Sequence, residues 1–229
     1  MEIINSLDDT KFGSEGEDIL GADSSVRLKI TDIRQGVKNP ERVNVFINGK
    51  FGFSLDIAQA VDLKIKVGRE ITAEELGEYK KQSDFGKLYQ RTLEWVLMRP
   101  RSEKEVRDYL CKKIYEKKIE EEEYINLIVE KLCSKGYLDD TKFAEYYVEN
   151  RFVKKGISRK RLRMELVKKG VDTEIIEQVL DGRNDEEEIL KIIAKKRAKY
   201  DDEKLIAYLC RQGFPYQLAQ SLVANHEKD

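Results

Sequence analysis

Apolar and polar positions follow two different periods along this chain, and the change comes near residue 60. Before that point apolar residues alternate with polar ones, which predicts strands with one buried face. Asn48-Gly49 between the second and third alternating runs predicts a hairpin turn. The alternating apolar positions are Leu28, Ile30 and Ile33, then Val43, Val45 and Ile47, then Phe51, Phe53 and Leu55.

The register of this hairpin is expected to follow its buried face. A two-residue turn would place Val45 opposite Gly52 and leave the apolar faces mismatched. A loop one residue longer, with Gly49 in a bulge, would instead pair Val45 with Phe51. Because a shift of one residue turns every side chain to the other face, we expect the longer loop.

Helical spacing replaces alternation further along the chain. A short helix is expected after Asp56, and Thr-Ala-Glu-Glu at 72–75 is a capping box that predicts the start of another. We expect strands only before about residue 60. From Ser83 onward the apolar positions predict nine helices, and the first of these covers residues 84–98, before Pro100.

One helical pattern recurs. Ser158 is a good N-cap, Leu162 and Leu166 stand one turn apart on a buried edge, and Gly170 offers a left-handed C-terminal residue. Similar spacing returns twice, in Ser102, Val106 and Leu110 and in Asp201, Leu205, Leu209, Gly213 and Phe214. Such repetition predicts stacked units whose neighbours cover each other's apolar faces.

The expected fold is therefore mainly α, with three tandem three-helix repeats in an elongated array after a small N-terminal module that contains a β-hairpin. The predicted repeats cover residues 83–136, 137–182 and 183–229, and the module covers 26–82. Residues 1–25 hold seven acidic residues and one lysine, which predicts a flexible acidic tail.

Composition adds a compartment and excludes some classes of protein. Charged residues make up 38% of the chain, which suits helices with thin apolar stripes and charged outer faces. Cys111, Cys133 and Cys210 are odd in number and lack metal-ligand spacing, so a reduced, intracellular protein is expected. No long apolar run or signal-peptide pattern is found, so we expect a soluble, cytoplasmic protein with no membrane contact.

No catalytic constellation emerges from the sequence. A phosphate-binding Gly-x-x-x-x-Gly-Lys-Ser/Thr loop is missing, and His226 is the only histidine, in a polar tail. The three cysteines are expected to be small buried hydrophobic residues. Asp139 and Asp140 could form a metal site or an acid–base pair, but their position before a helix favours capping. We expect no cofactor and no metal.

The basic cluster is the strongest candidate site. Between residues 151 and 169 nine basic residues stand against the single Glu165, in a chain with a net charge of −1. A solvated helix face is the simplest interpretation, but this density also suits a surface for nucleic acid or for an acidic protein. Tyr146, Tyr147 and Phe152 lie beside the cluster. Its members are Arg151, Lys154, Lys155, Arg159, Lys160, Arg161, Arg163, Lys168 and Lys169.

Two motifs resemble the signature of the RecX family, regulators of the RecA recombinase. They are Arg-Pro-Arg-Ser-Glu-Lys-Glu-Val at 99–106 and Gly-Tyr-Leu-Asp-Asp-Thr-Lys-Phe-Ala at 136–144. The resemblance is close over residues 85–229, and residues 26–82 resemble the N-terminal extension of longer members. It continues in Arg151, Gly156, Ile157, Leu166, Lys169, Gly170 and Val171.

This resemblance implies a monomeric, non-catalytic chain that lies in the groove of a RecA–DNA filament and inhibits filament growth, ATP turnover and strand exchange. It also implies effects on recombination, DNA repair and the SOS response, with some direct contact to single- or double-stranded DNA. The nine basic residues would then face the filament. A DNA-binding helical module that acts on recombination indirectly is the alternative, and a metal-dependent enzyme using Asp139 and Asp140 is a third.

Overall fold

The computed structural model of the protein describes residues 27–37, 39–117 and 123–225, apart from the side chains of residues 117 and 152–155. The chain divides into two compact units, Met1–Tyr89 and Gln90–Asp229. The predicted acidic tail lies outside the described residues. No helix in the part of the chain that is described is long and apolar enough to cross a membrane.

The described part of the first unit contains four strands and two helices. They are β1 (Leu28–Gln35), β2 (Arg42–Ile47), β3 (Lys50–Asp56), α1 (Ile57–Asp62), β4 (Glu70–Ile71) and the start of α2 (Ala73–Leu97). The strands form an antiparallel sheet in the order β3-β2-β1-β4. Phe53 and Leu55 on one face are almost fully buried, and the ring centroid of Tyr79 lies 5.3 Å from that of Phe53.

The predicted hairpin is present, but the predicted register is wrong. Ile47 pairs with Lys50, so the turn has two residues, and Asn48 and Gly49 both have positive φ angles of 48° and 83°. The extra residue is Gly52, which lets Val45 pair with Phe53 instead of Phe51. A Cβ atom on Gly52 would lie 2.8 Å from Ile47 Cδ1. The bulge therefore moves from the turn into the strand, where only glycine fits closely.

Two further expectations for this region are also wrong. Strand β4 lies beyond residue 60, where Leu28 and Lys29 of β1 pair with its two residues. The helices expected from residues 72 and 84 are a single helix, α2 (Ala73–Leu97), in which the predicted boundary at 82/83 falls. Its capping box is confirmed, because the Thr72 hydroxyl accepts from the Glu75 amide at 3.1 Å and Glu75 accepts from the Thr72 amide at 2.9 Å.

Helices fill the described part of the second unit, as predicted. With α2 they number nine in that part of the chain. They are α3 (Glu103–Lys117), α4 (Glu123–Ser134), α5 (Asp140–Lys155), α6 (Arg159–Lys168), α7 (Thr173–Val179), α8 (Asp185–Lys196), α9 (Asp202–Arg211) and α10 (Tyr216–Asn225).

Each of the last two triplets of helices has its own core. Phe143, Leu162, Leu166, Ile176 and Leu180 form the centre of the α5–α7 triplet, all at 0% exposure. Ile189, Ile193, Leu205, Leu209 and Ala219 form the centre of the α8–α10 triplet, again at 0%. The Ser-Leu-Leu spacing therefore predicted core positions correctly.

Successive triplets are joined by hydrogen bonds that recur in the same positions. Ser102 and Ser158, both at 0% exposure, cap the middle helices α3 and α6. The first residue of the next triplet then accepts the first amide of that middle helix. Asp140 Oδ1 accepts from the Glu103 N–H, and Asp185 Oδ1 accepts from the Arg159 N–H, both at 2.8 Å.

Glycines complete these joints. Gly170 and Gly213 end α6 and α9 with φ angles of 81° and 93°. A Cβ on Gly170 would lie 2.6 Å from Lys104 Cβ, and one on Gly213 would lie 2.6 Å from Ser158 Oγ. The end of each middle helix thus packs against the first turn of the preceding one. The described triplets are stacked through the same contacts twice.

Candidate binding surface

The basic cluster lies on the end of α5, on α6 and on the turn between them. Gly156, with a φ angle of 53°, ends α5, and Ile157 is buried at 3%. Ser158 then caps α6 by accepting from the Arg161 N–H at 3.2 Å, as predicted. Because Leu162 and Leu166 point into the core, the other residues of α6 lie at its sides and on its outer face.

Glu165 holds two of the arginines. Its carboxylate accepts from Arg151 Nε and Nη2 at 2.9 and 2.8 Å, from Arg161 Nε at 3.4 Å and from the Tyr147 hydroxyl at 2.9 Å. Burial acts to raise the pKa of Glu165, but the hydrogen bonds from Arg151 and Tyr147 outweigh it and hold that pKa below its ordinary value. The hydrogen bond to Glu165 likewise raises the pKa of Arg151. Arg161 also donates from Nη1 to the Arg211 carbonyl.

Glu177 of α7 holds two more arginines. Arg159 Nη2 donates to its Oε2 at 3.0 Å, and Arg163 Nε donates to its Oε1 at 2.7 Å. The hydrogen bonds from Arg163 and Arg159 lower the pKa of the Glu177 carboxyl. All three side chains are exposed by 41% or more, so these pairs contribute little to stability. The two guanidinium groups remain open to a partner on their outer sides.

Lys169 is tied to the preceding triplet. Its Nζ donates to Glu105 Oε1 of α3 at 2.6 Å, and Arg99 Nη1 donates to Glu105 Oε2 at 3.1 Å. The Glu105 side chain is only 14% exposed. Burial acts to raise its pKa, yet the bonds from Lys169 and Arg99 hold it below the ordinary value. Lys169 therefore serves the joint between triplets.

Lys160 and Lys168 differ from these five residues. Both are exposed, and neither ammonium group makes a hydrogen bond or ion pair with another described residue. They lie eight residues apart on α6, so they share one side of the helix two turns apart. Met164 and Val167 lie between them and are 51% and 52% exposed. We call these four residues the α6 stripe. The side chains of Lys154 and Lys155 lie outside the described residues.

Of the three carboxylates that hold these basic residues, the sequence analysis named only Glu165, which lies within the cluster. It missed Glu177 and Glu105, because they lie 14 residues from Arg163 and 64 residues from Lys169. Five of the nine predicted basic residues are thus paired within the chain. A signal for Glu177 existed, since it is the single acidic residue in the middle of α7, but the pairing needs the angle at which α6 and α7 pack.

Other predicted candidates have structural roles or lie outside the description. Asp139 caps α5 by accepting from the amides of Thr141 and Lys142 at 2.9 and 3.1 Å, which confirms the capping interpretation. Within the described residues no group of three or more His, Cys, Asp or Glu side chains is placed to hold a metal ion. His226 and the side chain of Phe152 lie outside the described residues.

The expectation that the cysteines are buried is wrong. Cys111 and Cys133 are exposed and Cys210 is half-buried. Each one follows immediately after a buried leucine of its helix, at Leu110, Leu132 and Leu209. A helix turns by about 100° per residue, so the residue after each leucine lies outside the narrow apolar stripe of its helix.

Comparisons with known proteins agree with the fold and the motifs. A family model described as the regulatory protein RecX N-terminal domain matches residues 28–72, and one described as the RecX second three-helix domain matches 139–180. A regulatory protein RecX from Listeria welshimeri is 33% identical over 215 residues, which is 88% of this chain and 78% of that protein. One from Bacillus velezensis is 33% identical over 210 residues, 86% of this chain and 77% of that protein.

Solved structures show the same fold. A crystal structure of a regulatory protein RecX superposes with a TM-score of 0.63 at 21% identity and covers 85% of this chain and 98% of that chain. RecX from Lactobacillus salivarius superposes with a TM-score of 0.50 at 24% identity, over 64% of this chain and 98% of that chain. These likenesses show the fold, and the identities above show the family. The chain belongs to the RecX family of regulatory proteins.

Proposed function

We propose that this RecX-family protein is a non-catalytic regulator that binds RecA–DNA filaments in their helical groove and inhibits the recombinase and ATPase activities of RecA. It acts as a monomer in the cytoplasm and thereby affects recombination, DNA repair and the SOS response. Its relatives from Listeria welshimeri and Bacillus velezensis are named regulatory proteins, which supports a regulatory role. RecA as the partner follows from the family resemblance.

The α6 stripe is the observation that carries this proposal. It places two half-exposed apolar side chains between two unpaired ammonium groups, and no described part of the chain covers them. A phosphate backbone would satisfy the lysines but would leave Met164 and Val167 against water or sugar. A protein surface can offer carboxylates and an apolar contact together. The stripe therefore suits a protein partner better than naked DNA.

The repeated joints favour a partner that is itself repetitive. The same Ser, Asp and Gly contacts connect successive triplets, so equivalent surfaces recur at related positions. A filament presents equivalent subunits one after another. Contacts made by several triplets to successive subunits would combine through effective concentration.

A DNA-binding module is the second candidate, and the half-exposed guanidinium groups of Arg159 and Arg163 favour it. If phosphates are the main partner, the logarithm of the affinity should fall by about 0.7 to 0.9 per contacted phosphate and per tenfold rise in salt. Replacing both arginines by glutamine should then lower that slope by about one unit per lost contact.

The test is the DNA-dependent ATP hydrolysis of RecA. Unaltered protein should inhibit it at well below one copy per RecA subunit. Lys160→Glu combined with Lys168→Glu should raise the inhibitory concentration about tenfold or more, which corresponds to about 1.4 kcal/mol. Circular dichroism should stay helical, because both side chains are exposed and unpaired within the described residues.

The matched control reverses two other exposed lysines, Lys195 and Lys199, which lie in the next triplet. It makes the same change in net charge but should leave inhibition within about twofold. If the control variant loses as much inhibition as the test variant, the effect is not specific to α6 and the assignment to that helix is wrong. Inhibition that requires enough protein to coat the DNA would favour the DNA-binding candidate.

A further inference from the structure

The single tryptophan of the chain lies between an arginine and a tyrosine of the second unit. The guanidinium carbon of Arg101 is 3.8 Å from the centroid of the Trp95 ring. The ring of Tyr109 stacks on the same indole, with centroids 4.4 Å apart and planes 11° apart. Two groups this close to one ring cannot share a face, so they cover its two faces. A cation–π contact thus fixes Arg101 on a rigid aromatic support.

The hydrogen-bond donors of Arg101 have no acceptors. Its guanidinium makes no hydrogen bond or ion pair with any residue of the described ranges, and its Nε is buried. Burial and then the charge of Arg99 lower the pKa of Arg101, while Glu105 and Tyr146 oppose that shift. A guanidinium has five N–H donors, and leaving them partly buried without acceptors is costly. The group is therefore suited to an acceptor that a partner supplies.

Arg101 is the exception among the basic residues around it. Six basic residues lie between positions 99 and 113, and the other five pair with carboxylates at 2.8 to 3.7 Å. A nucleic acid is bound by several cations that contact successive phosphates. A single guanidinium instead matches one carboxylate through two parallel hydrogen bonds. The pattern therefore favours an acidic side chain of a protein over a phosphate backbone.

Exposed apolar side chains lie next to this arginine in the sequence. Leu97 ends α2 and Met98 follows it, and they are 62% and 69% exposed. Met98 stands three residues after Trp95, which is about one helical turn. Arginine and tryptophan are enriched among the residues that contribute most to protein–protein binding. A protein surface can offer both a carboxylate and apolar contacts at this position.

We propose that Arg101 binds a carboxylate of RecA through its Nη groups, with Trp95 and Tyr109 as positioning residues and Met98 in apolar contact with the same partner. This inference rests on the proposed function. It adds to that function a contact made by the first triplet, separate from the α6 stripe.

The test is co-sedimentation of the full chain with RecA–DNA filaments. Arg101→Gln removes the charge and the planar fork, and should weaken binding to the filament about tenfold or more. Arg101→Lys keeps the charge but cannot make two parallel hydrogen bonds, so it should weaken binding about threefold or more. The matched control is Lys112→Gln on α3, where an ammonium side chain 73% exposed is neutralised. It should bind within about twofold of the unaltered protein.

Denaturant unfolding shows whether each variant is folded, and if Arg101→Gln is not, Arg101→Lys decides the outcome. The inference is overturned if both Arg101 variants bind the filament within about twofold of the unaltered protein, or if Lys112→Gln loses as much affinity as Arg101→Gln. A parallel loss of affinity for naked DNA would also overturn it, since the acceptor would then be a phosphate. Each of these results leaves the proposed function standing. If the unaltered protein does not sediment with filaments, the proposed function fails and this inference fails with it.

Discussion

Helix α6 carries two apolar pairs that lie on opposite sides of the helix. Leu162 and Leu166 lie at 0% exposure in the core of their triplet, whereas Met164 and Val167 are half exposed on the opposite side. The first pair stabilises the fold by packing in the core, and the second pair has no partner among the described residues. The two sides of one helix thus separate what stabilises the protein from what is available for binding.

The basic residues of the cluster divide in the same way. Carboxylates of α3, α6 and α7 hold five of them, while the two lysines of the α6 stripe pair with no described residue. Part of the high positive charge that the sequence shows in this cluster is therefore used in ion pairs within the protein. The charges of the two unpaired lysines are not offset by a carboxylate among the described residues.

The largest effect is expected from truncating one residue of each pair. Leu166→Ala should lower the free energy of unfolding by about 2 to 5 kcal/mol, because it leaves a cavity in a closed core. Val167→Ala, its neighbour and matched control, should change the free energy of unfolding by less than about 0.5 kcal/mol. Denaturant unfolding followed by circular dichroism measures both. Similar losses in the two variants would contradict the division of α6 into two sides.

A smaller effect is expected from acid. Glu165 and Glu105 have pKa values held below the ordinary value by their cationic partners. A lowered folded pKa gives stability that is present above the unfolded pKa and is lost as the pH falls through the folded pKa. The denaturant concentration at the midpoint of unfolding should therefore decrease as the pH is lowered below about 5. Glu165→Gln should be less stable at neutral pH and lose less on acidification, whereas Glu187→Gln, on an exposed residue of α8, should follow the unaltered protein. A steeper acid loss in Glu165→Gln would count against the assigned pairing.

Much of the helical region was predictable because its signals are local. Ser158, Leu162, Leu166 and Gly170 lie within four turns of chain, and capping and periodicity act over that distance. The same holds for the capping by Asp139. The roles of Asp140 and Asp185 were not predictable, since each serves the helix of the preceding triplet.

The misses in the first unit have tertiary causes. Ser83 resembles a helix N-cap, but its hydroxyl accepts from the Ser54 amide of β3 at 3.3 Å, so it is engaged with the sheet. Helix α2 runs through this position without interruption. The register of the hairpin depends on the bulge at Gly52, where the side chain of Ile47 occupies the space of a Cβ. Neither contact could be predicted from the local pattern of apolar and polar residues.

The α6 stripe is the surface that bears most directly on function. Met164→Ser combined with Val167→Ser removes its apolar side chains and keeps both lysines, so the charge is unchanged. Co-sedimentation with RecA–DNA filaments should show affinity about tenfold weaker, while binding to naked DNA and the free energy of unfolding stay near those of the unaltered protein. Unchanged affinity for the filament would contradict the claim that this surface binds a protein partner.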